Sequence, residues 1–591
     1  MNNEDLCQLE NLDDQTLLNT LQERYESAEI YTNCGLLLLS INPYCHLDIY
    51  DNNIKEMYKR SDMPKTHVYK MVEECIQGMN AAQKDYSIII SGESGSGKTE
   101  CAKIILDYYC LKEEFEILKR VDFVIEALGN AKTAHNNNSS RFGKLIKIKE
   151  SIQFETFLLE KSRVTHQVDG DQNFHIFYYI LDGNNLSVNN DFIKYEGRLY
   201  TKHYEEIKMA FVSLDIDFEQ IEKYLLGILE LGNITLANIN TSQGVDEVCT
   251  VFNMEKNAFV EYISYKIRKI GPDIIKSENT HEEAKILRDS LARIIYARVF
   301  DFIIGQINKK LEACAKISNN FTLNILDIFG FEDFKINGLE QFCINWCNEK
   351  IYDEFIKRSF EHQKNIFIQE EINVKNIDLD IDSLEMNKSN IDLIERKCGL
   401  VDLIAEESFL NGKFENLCNK LESFLKLKIK FGDTFEFNHF VGKVDYNTRE
   451  FVDRNKEKAN LLLIANAENL SNVSDTKYTK ALDPLKNIVG AFKQSLNKLF
   501  TILNSTEIKY IKCIKPNLNK QGLLFDKNVV GKQLRVNGIL QTIQLSKHLY
   551  PCSMFKDEFF EKYPWSFEFL LHLDSSISEL GISQKVCEKM I

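Results

Sequence analysis

Residues 91–100 read Ser-Gly-Glu-Ser-Gly-Ser-Gly-Lys-Thr-Glu and follow directly on the apolar run Ile88-Ile89-Ile90. A short buried strand, a glycine-rich turn and a helix opening at Lys98-Thr99-Glu100 together aim backbone N–H groups and a helix N-terminus at one point. The run Gly92, Glu93, Ser94, Gly95, Ser96, Gly97, Lys98, Thr99 therefore reads as a loop that cradles the phosphates of a nucleoside triphosphate. Its glycines permit dihedrals and close approaches that a side chain forbids. Lys98 reaches the β- and γ-phosphates, and the Thr99 hydroxyl ligates magnesium. The loop alone names no chemistry, because many folds share it.

With 591 residues, 44% of them hydrophobic and 27% charged, the chain can build several cores, so multiple subdomains are expected. It holds only 7 prolines, and no repeat or low-complexity tract divides it, so these subdomains interlock. No apolar stretch approaches the ~20 residues of a membrane span, and Met1-Asn2-Asn3-Glu4-Asp5 lacks the regions of a signal peptide. A cytoplasmic protein with no membrane segment is the expectation. A net charge of −16 argues against broad attraction to nucleic acid or anionic lipid. The 15 cysteines are scattered, and Cys343 and Cys347 lack nearby cysteine or histidine partners. Reduced thiols, rather than a zinc site or a disulfide framework, are expected.

Apolar or β-rich runs predict strands at 35–41, 86–90, 145–148, 156–159, 323–326 and 510–514, and helical periodicity predicts helices at 99–109, 281–310 and 340–367. Strands so widely separated, with helices between them, predict an α/β core whose sheet is assembled from distant parts of the chain. Residues 551–591 read as a small aromatic-rich unit beginning near Pro551.

Downstream of the phosphate loop stand Gly129-Asn130-Ala131-Lys132-Thr133 and Asn136-Asn137-Asn138-Ser139-Ser140-Arg141-Phe142-Gly143-Lys144, and the 323–326 strand ends in Asp327-Ile328-Phe329-Gly330-Phe331-Glu332. With the phosphate loop these resemble the three nucleotide-sensing elements of a myosin motor. The resemblance extends in family order through Ile41-Asn42-Pro43-Tyr44, Leu159-Glu160-Lys161-Ser162-Arg163-Val164, Asn173-Phe174-His175, Glu340-Gln341-Phe342-Cys343-Ile344-Asn345, His439-Phe440-Val441-Gly442, Ile514-Lys515-Pro516-Asn517 and Gln533-Leu534-Arg535. It implies an α/β P-loop NTPase fold: a central mixed sheet of about seven strands flanked by helices, upper and lower actin-binding lobes, and a small converter. The subdivision it implies is 1–125 with the phosphate loop, 126–330 as upper lobe with switch I and the strand to switch II, and 331–475 as relay helix and lower lobe. An actin-contact loop, sheet strand and paired coupling helices follow at 476–550, and a converter at 551–591.

The resemblance also implies roles, with ATP as substrate and Mg2+ as its companion. Thr99 and Ser140 would ligate magnesium, with Asp327 holding it through water. Ser139 would contact the γ-phosphate and relay a proton, Asn136 would touch the phosphates, and Gly330 would bring its N–H close to the γ-phosphate. Arg141 and Glu332 would form an ion pair that closes the back of the pocket only when the γ-phosphate is present. Asn42, Pro43, Tyr44 and Tyr50 would face the adenine, although Cys45 and Asp48 stand where lysine and proline are usual.

Residues 340–367 resemble the relay helix, and 533–549 the coupling helices. Gly538 keeps the glycine of the first coupling helix, while Leu549 stands where a hinge glycine is usual before Tyr550-Pro551, implying a stiffer or redirected stroke. The implied partner is filamentous actin, met around 402–431 and by the loop at 474–493, where Lys477, Lys480, Lys486 and Lys493 stand against Asp475 and Asp483. A third contact is expected at Asp273, which carries a permanent negative charge where relatives have an acidic or phosphorylatable residue. The resemblance implies a start close to the core, as in class I motors without an N-terminal barrel, and no light-chain-binding helix, coiled coil or tail is expected from these residues; either the sequence is cut or the motor works without a lever of its own. Two expectations follow: an actin-activated motor ATPase, or a nucleotide-gated actin tether with ATPase but little movement.

Overall fold

The computed structural model describes residues 4–9, 13–60, 65–134, 136–195, 200–236, 239, 242, 244–270, 273–315, 319–369, 389–457, 487–536 and 539. Residues 551–591, expected as a converter, Gly538 and Leu549, expected in coupling helices, and residues 474–486 of the expected actin-contact loop lie outside these.

Seven strands make the central sheet: β1 (Tyr31–Cys34), β2 (Leu37–Ile41), β3 (Tyr86–Gly92), β4 (Gly143–Ile148), β5 (Ile152–Phe157), β6 (Leu323–Asp327) and β7 (Glu507–Ile514). Their spatial order is β1-β2-β7-β3-β6-β4-β5. The central β2, β7, β3 and β6 run parallel, while β1, β4 and β5 pair antiparallel. The mixed sheet expected from the scattered apolar runs is therefore present. Its parallel strands are buried, as continuous runs such as Ile88-Ile89-Ile90 require.

Two edge features differ from the sequence reading. β1 reads Tyr-Thr-Asn-Cys and carries no apolar run, yet it is buried because Asn33 bonds to the Glu4 carbonyl and Cys34 packs against Cys7. β5 covers Ile152–Phe157 rather than 156–159, and Leu158 leaves the ladder at φ +61°. On β5, Gln153 is exposed while Ile152 and Phe154 are buried, and Glu155 is held by Lys147 and Lys498. That alternation is the pattern of a half-buried edge strand, and it dilutes the apolar signal.

The helices that matter for the site are α1 (Lys98–Tyr109), α2 (Lys112–Gly129), α3 (His281–Ala313), α4 (Leu339–Gln369), α5 (Leu400–Leu410), α6 (Phe414–Leu425), α7 (Ile488–Asn504) and α8 (Lys527–Val536). α3 opens on a capping box in which the Thr280 hydroxyl accepts from the Glu283 N–H. It then runs through the interior against β5 and α2. Three smaller β-units complete the frame used below. Asn130–Thr133 pairs with Asn136–Ser140, Tyr265–Ile270 pairs with Asp273–Glu278, and Lys428–Lys430, Thr434–His439 and Gly442–Asn447 form a three-stranded sheet.

Candidate active site

The loop between β3 and α1 lies at the carboxyl end of the central parallel strands, where open α/β sheets hold their ligands. Gly92, Gly95 and Gly97 take φ of +149°, +83° and +94°, so the turn needs residues without a Cβ. At Gly92 an added Cβ would lie 2.2 Å from the Cys513 carbonyl oxygen on β7. Lys98 Nζ donates to the carbonyls of Gly92 (2.8 Å) and Glu93 (3.0 Å). Burial lowers the Lys98 pKa, and Asp327 opposes that shift. Two neutral carbonyls hold the Lys98 Nζ, and an anionic oxygen is a stronger acceptor for it than either. The Ser96 hydroxyl is buried with no hydrogen-bond partner among the described residues.

At the end of β6, Asp327 accepts a hydrogen bond from the Thr99 hydroxyl (2.9 Å). Burial raises the Asp327 pKa against the pull of Lys144 and Lys98. This hydroxyl–carboxylate pair is an all-oxygen donor set that fits magnesium, a hard cation. Ser140 is not drawn into the same cluster; its hydroxyl donates to the Phe142 carbonyl (3.0 Å).

The 136–140 strand approaches the loop from the other side. Ser94 and Ser139 hydroxyls share a hydrogen bond of 2.9 Å, and Asn136 Nδ2 donates to Ser94 Oγ (2.9 Å) and to the Asn138 carbonyl (2.8 Å). Gly330 presses on the loop from β6, where an added Cβ would sit 2.0 Å from the Gly92 oxygen.

Behind these residues Arg141, 1% exposed, donates through Nη1 to Glu332 Oε1 (2.6 Å) and through Nη2 to Glu332 Oε2 (3.4 Å). Its Nε donates to Glu160, which also takes bonds from Arg163. Burial opposes the Arg141 charge, but Glu160 and Glu332 outweigh it and raise the pKa. Glu160 was not singled out from the sequence, although it lies in the Leu159–Val164 segment. Its distance of 19 residues from Arg141 hides the contact.

Glu332 is also tied to α4. Asn345 Oδ1 accepts from the Glu332 N–H (2.8 Å), and its Nδ2 donates to the Glu332 carbonyl (2.6 Å) and to the Tyr446 hydroxyl (2.8 Å). Any displacement of this peptide must therefore be shared with α4 and the three-stranded sheet.

On the other flank a cavity of about 410 Å³ is lined by Asn42, Pro43, Tyr50, Ser96 and Gly97, with Tyr31 and Phe115. Its volume lies in the range of small-molecule sites. Tyr44 does not line it; held at φ +50°, it donates its hydroxyl to the Gly95 carbonyl (3.1 Å). Tyr50 shares a hydrogen bond of 2.8 Å with Tyr31. Two further cations reach the phosphate loop and the 136–140 strand: Lys515 pairs with Glu93 (2.7 Å), and Lys520 Nζ donates to Asn136 Oδ1 (3.3 Å).

No helix among the described residues is long and apolar enough to cross a membrane. Cys343 and Cys347 are buried free thiols.

The family model for the Myosin head (motor domain) matches residues 3–591. The chain is similar to Myosin-2 of Arabidopsis thaliana, 33% identical over 618 residues that cover 95% of this chain and 50% of that protein. It is also similar to Myosin-2B of Naumovozyma castellii, at 31% over 652 residues, 95% of this chain and 45% of that one. A third relative, Unconventional myosin heavy chain 6 of Caenorhabditis elegans, is 31% identical over 609 residues, with 93% and 29% covered. The chain thus spans about half the length, or less, of these curated relatives.

Proposed function

The chain belongs to the myosin head family, and from that premise we propose that it is an actin-based motor that hydrolyses ATP. The observation that carries this reading is the buried Arg141–Glu332 pair, closed at 2.6 Å behind the phosphate loop. Phosphoryl transfer to water demands neutralised charge and a positioned water more than covalent chemistry. Lys98 and the loop amides meet the phosphates, Ser139 and Asn136 approach from the 136–140 strand, and the Gly330 N–H faces the γ-phosphate. The Arg141–Glu332 latch shuts the rear of the pocket and excludes bulk water. Magnesium would be held by Thr99 and Asp327, with Ser140 joining them only by giving up its bond to the Phe142 carbonyl, and would neutralise phosphate charge. The cavity beside Asn42, Pro43 and Tyr50 takes the adenine, with Tyr44 bracing the loop at Gly95.

Opening of the latch after phosphate release would move Glu332, and Asn345 would pass that movement to α4. Residues 1–125, 126–330, 331–475, 476–550 and 551–591 serve as the subdomains expected from the family, working on the actin cytoskeleton.

Support for an actin contact at 402–431 comes from apolar exposure. Phe409 and Leu410 on α5, Phe424 on α6 and Phe431, 97% exposed at φ +53°, stand open on an acidic chain. Asp273 follows the tip of the 265–278 hairpin, opposite Ile270. As a permanent charge there it makes phosphorylation at this site unnecessary. Asp273→Ala is expected to lower actin-activated ATPase roughly threefold, the scale of a rim charge, and an unchanged rate contradicts the assignment.

Co-sedimentation tests the actin reading. The protein is expected to pellet with filaments in the absence of nucleotide and to be released by MgATP. Protein that stays in the supernatant without nucleotide overturns it.

A further inference from the structure

The loop after β7, residues 515–526, reaches the phosphate loop, the 136–140 strand and Pro43 beside the cavity. Its stem is fixed to α8, where the Lys515 N–H donates to Gln533 Oε1 (2.9 Å) and Gln533 Nε2 donates to the Lys515 carbonyl (2.8 Å). Lys515 Nζ pairs with Glu93 in the phosphate loop (2.7 Å), and the Leu523 N–H donates to the Pro43 carbonyl beside the cavity (3.1 Å). Between these anchors the loop is braced from within. Asn517, 3% exposed, donates to the carbonyls of Gln521 (2.8 Å) and Leu524 (2.9 Å) and accepts from the Gln521 N–H (3.0 Å).

This bracing holds Lys520 at φ +55°, a conformation that residues with a side chain adopt rarely and at a cost. From that position its ammonium reaches Asn136 Oδ1 (3.3 Å), and Asn136 in turn holds Ser94 (2.9 Å). A lysine is thus carried, by a loop strained at that residue, to the serine–asparagine cluster that joins the phosphate loop to the 136–140 strand. An amide oxygen is a weak neutral acceptor for an ammonium. A phosphate oxygen carries a full negative charge and forms a stronger ion pair with the ammonium, and the flexible lysine stem permits the exchange.

We propose that Lys520 is a second cation for the phosphate chain of the nucleotide, exchanging its bond to Asn136 for one to a phosphate oxygen. Because its loop is fixed to α8 through Gln533, occupancy of the pocket is then felt by α8 as well as by α4. The proposal rests on the reading of Ser94, Asn136 and Ser139 as phosphate-side residues.

The test uses the full chain with MgADP and MgATP as probes. Lys520→Met is expected to raise the ADP Kd and the ATP KM about five- to tenfold, toward the low end of a charge-assisted bond because the side chain is partly solvated. The change falls on KM more than on kcat. Lys520→Arg restores most of the affinity, and the melting temperature without nucleotide stays at the wild-type value. Wild-type ADP affinity in Lys520→Met overturns the proposal. So does a weaker affinity accompanied by a lower nucleotide-free melting temperature, which marks a structural role alone. Lys98→Ala in parallel separates the two levels: if it too binds nucleotide like the wild type, the reading of the site fails, and if it alone loses binding, only the role of Lys520 fails.

Discussion

Glu332→Ala is expected to lower steady-state ATP turnover at least about a hundredfold, the scale of a lost alignment at a reacting centre, while ATP still binds. Binding depends on Lys98 and the loop amides, which Glu332 does not touch. Turnover depends on a closed rear wall, and that wall is the contact of Glu332 with Arg141 at 2.6 Å. The variant should fold. Orphaning a buried charge costs about 3–5 kcal/mol, but Arg141 is not orphaned, since Glu160 remains bonded to its Nε. The bonds from Asn345 to the Glu332 backbone also survive the substitution. Single-turnover kinetics with a fluorescent ATP analogue separate the steps, and full hydrolysis in Glu332→Ala contradicts the latch.

Gly330→Ala is expected to damage both binding and hydrolysis. The new methyl would stand 2.0 Å from the Gly92 oxygen and 2.7 Å from its carbonyl carbon. Both atoms are backbone, and Gly92 is itself confined by the Cys513 carbonyl on β7, so no flexible side chain can move aside. The phosphate loop and the 327–332 segment must separate. Overpacking of this kind costs about 1–3 kcal/mol, and the displacement moves the Gly330 N–H from its station. ATP affinity should fall about tenfold and turnover about a hundredfold. Near-normal values for both, measured by calorimetry and steady-state ATPase, mean that Gly330 does not set this geometry.

Much of the site was legible because its residues sit in short contiguous segments whose local geometry is their function. The phosphate loop follows a buried strand and opens a helix, and the structure has that unit in β3 and α1. The central strands were equally plain, because burial on both faces demands unbroken apolar runs. β1 escaped notice because polar Thr32 and Asn33 are satisfied by partners from elsewhere: Arg24 on Thr32, and the Glu4 carbonyl and Thr66 around Asn33. Glu160 and Lys520 were hidden for another reason. Lys520 lies 384 residues from Asn136, and nothing in its neighbours along the chain announces where the loop will point. Ser140 marks the opposite case, in which a motif placed a residue among magnesium ligands while its hydroxyl bonds to Phe142.

A steady-state ATPase assay with and without filamentous actin decides whether this chain is an actin-activated motor. Slow MgATP hydrolysis by the protein alone is expected, with a rate that rises with actin concentration to a plateau. No hydrolysis under either condition, or a rate indifferent to actin, would contradict it.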